Sequence, residues 1–459
     1  MRDRRVERWF AVAAAVLLVV SVGAVVATPA ENPSRDQTVD FDASVPAEYE
    51  FAAPPADGHA TVDDQRYDTL DGALAAAAPG DTVRVTGTVE GPVTLDTPGV
   101  TVVGTSPSES VVRGQGEGTV LTVNASDVTV RDVWVTDAGY STTDNDAAVW
   151  VAGANATVDG VRVTNTTFGV WVDGASGATI RDSAIVGRES IARLSDRGNG
   201  IQLWEADGAV VANNTITDAR DGIYFSWSTD VLARNNTMWD LRYGVHYMYS
   251  DHNRLANNTA FDNDVGYALM VSDDIDVVDN VAVNNSGTSG HGVLLKEVDH
   301  SRVARNDLVG NGNGLFVYNS MDNDVVDNLV LANDVGVHLT AGSTDARASG
   351  NSFVDNGDAM KAVLGEQVAW NGSDRGNYWD GARPVDVDHD GVSEVRFQAT
   401  GVLDEMSHRQ PEVEVFASSP AFDAVRLATR SVPLLETPGV VDHHPLARPA
   451  HDDWRRYYE

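Results

Sequence analysis

The chain has 459 residues, a formal net charge of −36 and no cysteine. The missing cysteine excludes disulfide bonds, zinc–thiolate sites, cysteine chemistry and a lipoprotein anchor. The strongly acidic surface disfavours nucleic acid as a partner. Only Lys296 and Lys361 are lysines among the 32 basic residues, and an acidic, lysine-poor composition keeps proteins soluble at high salt. We therefore expect a halophilic protein whose charge serves solvation rather than a ligand.

The first segment is a targeting sequence. Four arginines within the first eight residues precede an apolar run over residues 9–27, which is the pattern of a signal peptide or an N-terminal membrane anchor. We assign residues 1–28 to this segment and residues 29–60, rich in Pro, Ala and acidic side chains, to a linker. With either outcome, cleavage or anchoring, the protein is expected to be extracytoplasmic and membrane-associated, in the periplasm or the archaeal cell-surface space.

A repeat of about 22 residues follows and predicts the fold. Seven short strand segments begin at glycines spaced by 22 residues, with one step of 26; they start at Gly200, Gly222, Gly244, Gly266, Gly292, Gly314 and Gly336. The residues one and three places after each glycine are apolar, so these two columns should face a core, since strand residues alternate between faces. Such a period is typical of a solenoid. We predict an all-β, right-handed parallel β-helix over residues 61–369.

Two further features complete this solenoid. An Ala-rich helix over about residues 70–78 should cap its N-terminal end, and the excess residues at 187–197 and 287–290 should form loops. Asparagines recur with the same period and are expected in a turn, where Asn tolerates left-handed backbone and stacked amides can bond to one another; they are Asn214, Asn236, Asn258, Asn280, Asn306, Asn328 and Asn351.

Residues 370–459 form an irregular C-terminal extension in which the repeat stops. Within it, Asp386, Asp388 and Asp390 precede Gly391 with the alternate spacing of a calcium-binding loop. Phe397 occupies the place where such a loop usually has a bidentate Glu. A calcium site and a plain acidic turn therefore both remain open.

The columns two and four places after each glycine should face outward, and they contain the candidate functional residues. Met248 and Met270 lie on adjacent coils, with His246 two residues before Met248 on the same face. Two thioethers and an imidazole suit a soft ion such as Cu(I). The same columns contain candidate partner-binding residues, because exposed apolar patches mark interaction sites; they are Trp204, Tyr224, Lys296, Phe316, Tyr318 and His338. Packing or protein docking is the alternative function of the whole face.

Several short sequence motifs that are not part of the repeat resemble those of a known family. The words RYGVHYMYS, GYALM, GHGV and GNYW, in this order and within a match from about Asp68 to Leu446, resemble the NosD family. The resemblance implies an extracytoplasmic accessory protein for maturation of nitrous oxide reductase (NosZ). It also implies copper traffic to the copper–sulfur centre of that enzyme, together with an ABC transporter of NosF and NosY and the copper chaperone NosL.

A polysaccharide-degrading β-helix protein is a further alternative. Asp273 and Asp274, followed by His291 between two glycines, are similar to a polygalacturonase signature. The Asn-Thr-Asp and Arg-Ile-Lys elements expected with that signature are absent from the sequence. Hydrolysis needs an acid and a base or nucleophile at one bond, so we predict that the protein is not an enzyme. A docking scaffold without metal remains the third alternative.

Overall fold

The protein is a parallel β-helix, as predicted. The computed structural model describes residues 39–42, residues 55–400 apart from Glu189, Ala341, Thr344, Val363 and Gly365, and residues 439–458. The targeting segment 1–28, most of the linker and residues 401–438 of the C-terminal extension lie outside the described residues. Within the described part, no helix is long and apolar enough to cross a bilayer.

Each coil contributes one strand to each of three columns. The first column, here called the site sheet, has 12 parallel strands. Their bounds are Val93–Leu95, Leu121–Val123, Ala147–Val151, Phe168–Asp173, Ile201–Trp204, Asp221–Ser226, Tyr243–Met248, Val265–Met270, His291–Lys296, Asn313–Tyr318, Val335–Leu339 and Asp358–Ala362.

The other two columns are joined by one long strand, Thr82–Glu90, which contributes to both. The second column contains His59–Val62, Gln65–Tyr67, Thr101–Gly104, Thr129–Arg131, Thr157–Asp159, Thr179–Arg181, Val210–Ala212, Leu232–Arg234, Arg254–Ala256, Asp276–Val278, Arg302–Ala304, Asp324–Val326 and Arg347–Ser349. The third contains Ser110–Arg113, Trp134–Thr136, Arg162–Thr164, Ala184–Val186, Thr215–Thr217, Thr237–Trp239, Thr259–Phe261, Val281–Val283, Asp307–Val309, Leu329–Leu331, Ser352–Val354 and Tyr378–Trp379.

The two ends of the solenoid are covered. At the N-terminal end the helix Leu70–Ala76 begins after Thr69, whose hydroxyl accepts a hydrogen bond from the Gly72 N–H, and it buries Leu70, Ala73 and Leu74 against the first coils. This confirms the predicted capping helix. At the C-terminal end a small sheet covers the last coil; its strands are Gln367–Ala369, Phe397–Gln398 and Gly439–Asp442.

Two short 3₁₀ helices complete the regular structure: Leu194–Asp196 in the loop before the site-sheet strand Ile201–Trp204, and Trp454–Tyr457 near the C-terminus. The latter packs on the outer face of the third column, where Phe41 of the linker contacts both Phe261 and Tyr457. The two ends of the described chain therefore meet on the third column and not on the site sheet.

The site sheet contributes to the core the columns one and three places after the repeating glycines. Their exposure is between 0% and 4% throughout; they are Ile201, Leu203, Ile223, Phe225, Val245, Tyr247, Tyr267, Leu269, Val293, Leu295, Leu315, Val317, Val337 and Leu339. The glycines themselves are required, because a Cβ on Gly244 would lie 2.6 Å from the Gly266 carbonyl oxygen of the next coil. The predicted facing of the strands is therefore correct.

The asparagine column forms a buried ladder, but one detail of the prediction is wrong. Asn258 is fully buried, and its Nδ2 donates to the Ala233 carbonyl and to the Asn280 Oδ1, both at 3.0 Å. The left-handed residue is its neighbour Asn257, with φ of 55°. The asparagines of the ladder point inward and tie coils together, whereas the residue before them makes the turn.

Candidate functional site

The outer face of the site sheet is more covered than the sequence analysis expected. In the columns two and four places after the seven repeating glycines, five side chains are buried; they are Gln202, Ser226, His246, Ala268 and Leu294. Equivalent side chains on neighbouring strands lie about 4.8 Å apart, so large side chains cover small ones. Ala268, between His246 and Leu294 in register, is therefore fully buried. This face is a packed layer with exposed aromatic margins.

Met248, Met270 and His246 occupy three corners of a block on two neighbouring strands. Met248 lies opposite Met270, and His246 lies opposite Ala268. Both methionines are half-buried, whereas His246 is 7% exposed. Residues opposite each other in a sheet have Cβ atoms about 5 Å apart. With the small Ala268 at the fourth corner, the block offers thioether sulfurs on two half-buried side chains and imidazole nitrogens on one buried side chain.

A buried carboxylate holds His246 from the neighbouring strand. Asp221, the first residue of the strand Asp221–Ser226, is fully buried. Its Oδ2 lies 3.1 Å from His246 Nδ1. Arg242 donates to both oxygens of the same carboxylate, through Nε at 2.8 Å and Nη2 at 2.5 Å. The result is an Asp–His–Arg cluster whose His246 lies two residues before Met248 on the same strand.

The charges of this cluster balance locally. Burial alone raises the pKa of Asp221, but hydrogen bonds from His246 and Arg242 and the positive charge of Arg242 outweigh burial, so the pKa of this carboxyl lies below its usual value. Burial raises the pKa of Tyr224 and of Tyr243 on either side of the cluster. The cluster therefore contains an ionised carboxylate paired with a guanidinium between two neutral phenols.

Sequence reasoning missed Asp221 and Arg242. Both precede a repeating glycine, in the words RDG and LRYG, where a charged pair is expected in an exposed turn. The position of Asp221 in the repeat could have revealed its role, because Asp221 is in register with Tyr243 and not with a residue of the core columns. A buried acid at that place requires partners, and Arg242 and His246 are those partners.

Some of the partner-binding candidates are exposed at the margin of the site sheet, whereas others are half-buried within its outer face. Trp204 is 39% exposed and Tyr318 45% exposed, and Lys296 is exposed. Tyr224 is half-buried and packs its ring edge-on against His246 at 4.6 Å. Tyr224 therefore belongs to the copper-site candidate rather than to a free docking surface.

The same margin contains an aromatic pair that the sequence analysis did not select. Trp227 is 53% exposed and Tyr249 43% exposed, and their rings stack at 4.6 Å with an angle of 14°. Both lie directly after site-sheet strands, on the same coils as the Asp–His–Arg cluster. Both residues lie five places after a repeating glycine, and this shared position could have identified the pair from the sequence.

A second histidine cluster lies further along the same face. His291 stacks on Phe316 at 4.6 Å, and His338 meets the other side of that ring at 4.9 Å. Asp274, the proposed acid of the polygalacturonase signature, lies beyond the C-terminal end of its strand, beside His252 at 3.4 Å. His291 begins the next strand, and a six-residue strand is about 20 Å long. The structure does not bring this acid and this histidine to one bond.

The three carboxylates of the calcium-type loop do come together. Ligand oxygens of Asp386, Asp388 and Asp390 lie within 4.8 Å of one another. Asp386 Oδ2 accepts a hydrogen bond from the Gly391 N–H at 3.2 Å, as in a tight acidic turn. Both alternatives from the sequence are compatible with this arrangement, and calcium binding stays a prediction.

Comparison with known proteins identifies the family. The model of the family described as periplasmic copper-binding protein (NosD) matches residues 182–383. A Pseudomonas aeruginosa protein named probable ABC transporter binding protein NosD is 34% identical over 351 residues, covering 73% of this chain and 81% of that protein. The chain belongs to the NosD family. A Stutzerimonas stutzeri protein of the same name is 32% identical over 358 residues, covering 74% of this chain and 81% of that protein.

The copper-site candidate lies inside the region that the NosD family model matches. Solved structures give the fold alone. The catalytic domain of an α-1,3-glucanase superposes with a TM-score of 0.50 at 13% identity, over 73% of this chain and 68% of that one. The periplasmic alginate epimerase AlgG gives a TM-score of 0.43 at 16% identity, over 65% of this chain and 75% of that one. The β-helix is thus shared with enzymes whose chemistry cannot be carried over.

Proposed function

We propose that this protein receives Cu(I) on the outer face of the site sheet and passes it on for the copper–sulfur centre of nitrous oxide reductase. The ion is cargo, bound by Met248, Met270 and His246. We further propose that it works outside the cytoplasm with an ABC transporter of NosF and NosY, receives copper from NosL and serves NosZ. It acts as a carrier and not as an enzyme.

One observation carries this proposal: His246 Nε2 is buried and has no hydrogen-bond partner among the described residues. A buried polar atom without a partner costs about 1–3 kcal/mol. The neighbouring positions carry two methionines, and thioethers together with imidazole suit Cu(I). Because both methionine side chains are half-buried on the outer face, an ion can enter and leave without opening the sheet.

The decisive experiment is a competitive Cu(I) titration of the protein against a chromophoric chelator. The variant Met248→Leu/Met270→Leu keeps volume and apolarity, so it should fold, and we expect at least a tenfold loss of affinity. Met321→Leu is the matched control, because Met321 is 42% exposed and lies outside the block. Equal affinities of wild type and double variant would refute the copper site. In cells, the double variant should yield nitrous oxide reductase that lacks its copper–sulfur centre.

A docking scaffold without metal is the second candidate, favoured by the exposed aromatic margin. Trp204, Trp227, Tyr249 and Tyr318 lie along the rim of the same face, and aromatic side chains are enriched in interfaces. If the double methionine variant keeps copper affinity while Trp227→Ala abolishes maturation of the reductase, this second function replaces the first.

A further inference from the structure

The arrangement around His246 determines which of its two ring nitrogens is available. Nδ1 lies 3.1 Å from Asp221 Oδ2 and 3.4 Å from Arg242 Nη2. Only one of these contacts can be a hydrogen bond in the neutral ring. If Nδ1 carried no hydrogen, its lone pair would face the Asp221 Oδ2 at 3.1 Å, and the two would repel each other. The Nδ1–H therefore donates to Asp221, and the lone pair is on Nε2.

Arg242 prevents the carboxylate from rotating out of this contact. Its guanidinium makes a two-bond fork with Asp221, which is the most restrictive geometry that an arginine and a carboxylate can form. The guanidinium also lies 4.3 Å above the Tyr243 ring. Both oxygens of Asp221 are therefore occupied as acceptors, and Asp221 has no hydrogen to give to His246.

Two tyrosines limit rotation of the imidazole. Tyr224 and Tyr243 meet its ring at centroid distances of 4.6 and 5.0 Å, with interplanar angles of 87° and 86°. Turning the ring over would put Cδ2 in the place of Nδ1 and Cε1 in the place of Nε2, so it would break the bond to Asp221. The orientation of His246 is thus fixed from three sides while its Nε2 remains buried and without a partner among the described residues.

We infer that Asp221, held by Arg242, is a positioning residue that presents His246 Nε2 as the nitrogen ligand for copper. The inference rests on the proposed function for the identity of the ion. Metal-binding histidines generally donate their other N–H to a carboxylate or carbonyl, and loss of that partner costs about 10- to 100-fold in affinity. Asp221 touches no ion in this arrangement and acts only through the ring.

The test compares tautomer and affinity in the same samples. Nitrogen-15 NMR of histidine-labelled protein without copper should show His246 protonated on Nδ1, with the signal assigned from its loss in His246→Gln. In Asp221→Asn the amide can donate to Nδ1, so we expect the hydrogen to move to Nε2 and Cu(I) affinity to fall about 10- to 100-fold. Met248→Leu/Met270→Leu should lose affinity and keep the wild-type tautomer.

The outcomes separate this inference from the proposed function. A wild-type His246 protonated on Nε2 overturns the inference even when Asp221→Asn does not fold. Unchanged affinity and tautomer in a folded Asp221→Asn also overturn it and leave the copper site standing. Wild-type protein with the Nδ1–H tautomer but no measurable Cu(I) binding removes the proposed cargo, although the positioning of the ring by Asp221 is then supported.

Discussion

Two histidines on the outer face of the site sheet differ in what surrounds their rings. His246 has a buried carboxylate partner, whereas His291 has the neutral amide of Asn313 at 3.1 Å and the ring of Phe316. The pKa of His291 is lowered to about 4, chiefly by burial and to a smaller extent by the neighbouring His338, while Asp264 acts in the opposite direction. His291 is therefore neutral in the folded protein over the whole range in which a free histidine titrates.

This difference predicts acid sensitivity at one residue. The unfolded chain takes up a proton near pH 6.5, but folded His291 resists protonation until about pH 4. The stability contributed by its neutral form is complete above pH 6.5 and is lost as the pH falls. His291→Gln keeps an acceptor for Asn313, so between pH 7 and 5 it should lose less stability than wild type, by about 1 kcal/mol after allowance for partial exposure.

Thermal unfolding at pH 7, 6 and 5 measures this difference. His300→Gln is the control, because the His300 side chain is 62% exposed and its removal should leave the pH dependence close to that of wild type. Parallel pH profiles of wild type and His291→Gln would show that His291 does not titrate in this way.

At the scale of elements, the coils are tied together by side chains as well as by the sheets. A second asparagine ladder, which the sequence analysis did not select, runs beside the first; its members are Asn263, Asn285, Asn311, Asn333 and Asn356, all joined by Nδ2-to-Oδ1 hydrogen bonds. A serine in each of several coils similarly accepts a backbone N–H from the preceding coil, as Ser250 does from Ser228. Polar ladders inside an apolar stack fix the register of neighbouring coils, since a slipped coil leaves buried amides unpaired.

Adjacent asparagines allow a clean test of the ladder. Asn258→Ala removes a buried amide that bonds coils on both sides and leaves the Ala233 carbonyl without its donor, so we expect a loss of more than about 2 kcal/mol. Asn257→Gly changes an exposed residue whose φ of 55° suits glycine, and it should stay within about 0.5 kcal/mol. Denaturant unfolding of both variants measures the contrast, and equal losses would show that the ladder contributes nothing of its own.

The sequence predicted the repeating elements well and the charged cluster poorly, for physical reasons. Periodicity records what is common to all coils, so it revealed the apolar columns, the first asparagine ladder and the pairing of Met248 with Met270. Asp221 and Arg242 are departures from the repeat. Their meaning depends on side-chain directions across neighbouring strands, which a single sequence does not encode. The same limit explains why Ala268 was expected at the surface and is fully buried.

At the scale of the whole molecule, the acidic charge is distributed along the coil edges. Arginines pair with aspartates of neighbouring coils, as in Arg305 with Asp279 at 2.7 Å and Arg347 with Asp324 at 2.7 Å. Exposed pairs of this kind contribute only about 0–1 kcal/mol each. With 68 acidic against 32 basic residues, the unpaired acids outnumber such pairs, and net repulsion remains at low salt.

Salt should therefore stabilise the fold, because screening reduces this repulsion more than it weakens the ion pairs. The unfolding temperature should rise from low salt to molar KCl.

Asp240 and Asp262 provide an internal control for this electrostatic effect. The pKa of Asp262 is raised by its burial and by the negative charge of Asp240. Asp240 has φ of 53°, which Asn tolerates. Asp240→Asn should stabilise the protein at low salt by up to about 1 kcal/mol and by less in molar KCl. An unfolding temperature that stays flat or falls with KCl would contradict the halophilic interpretation, and an Asp240→Asn gain independent of salt would show that the effect is not electrostatic.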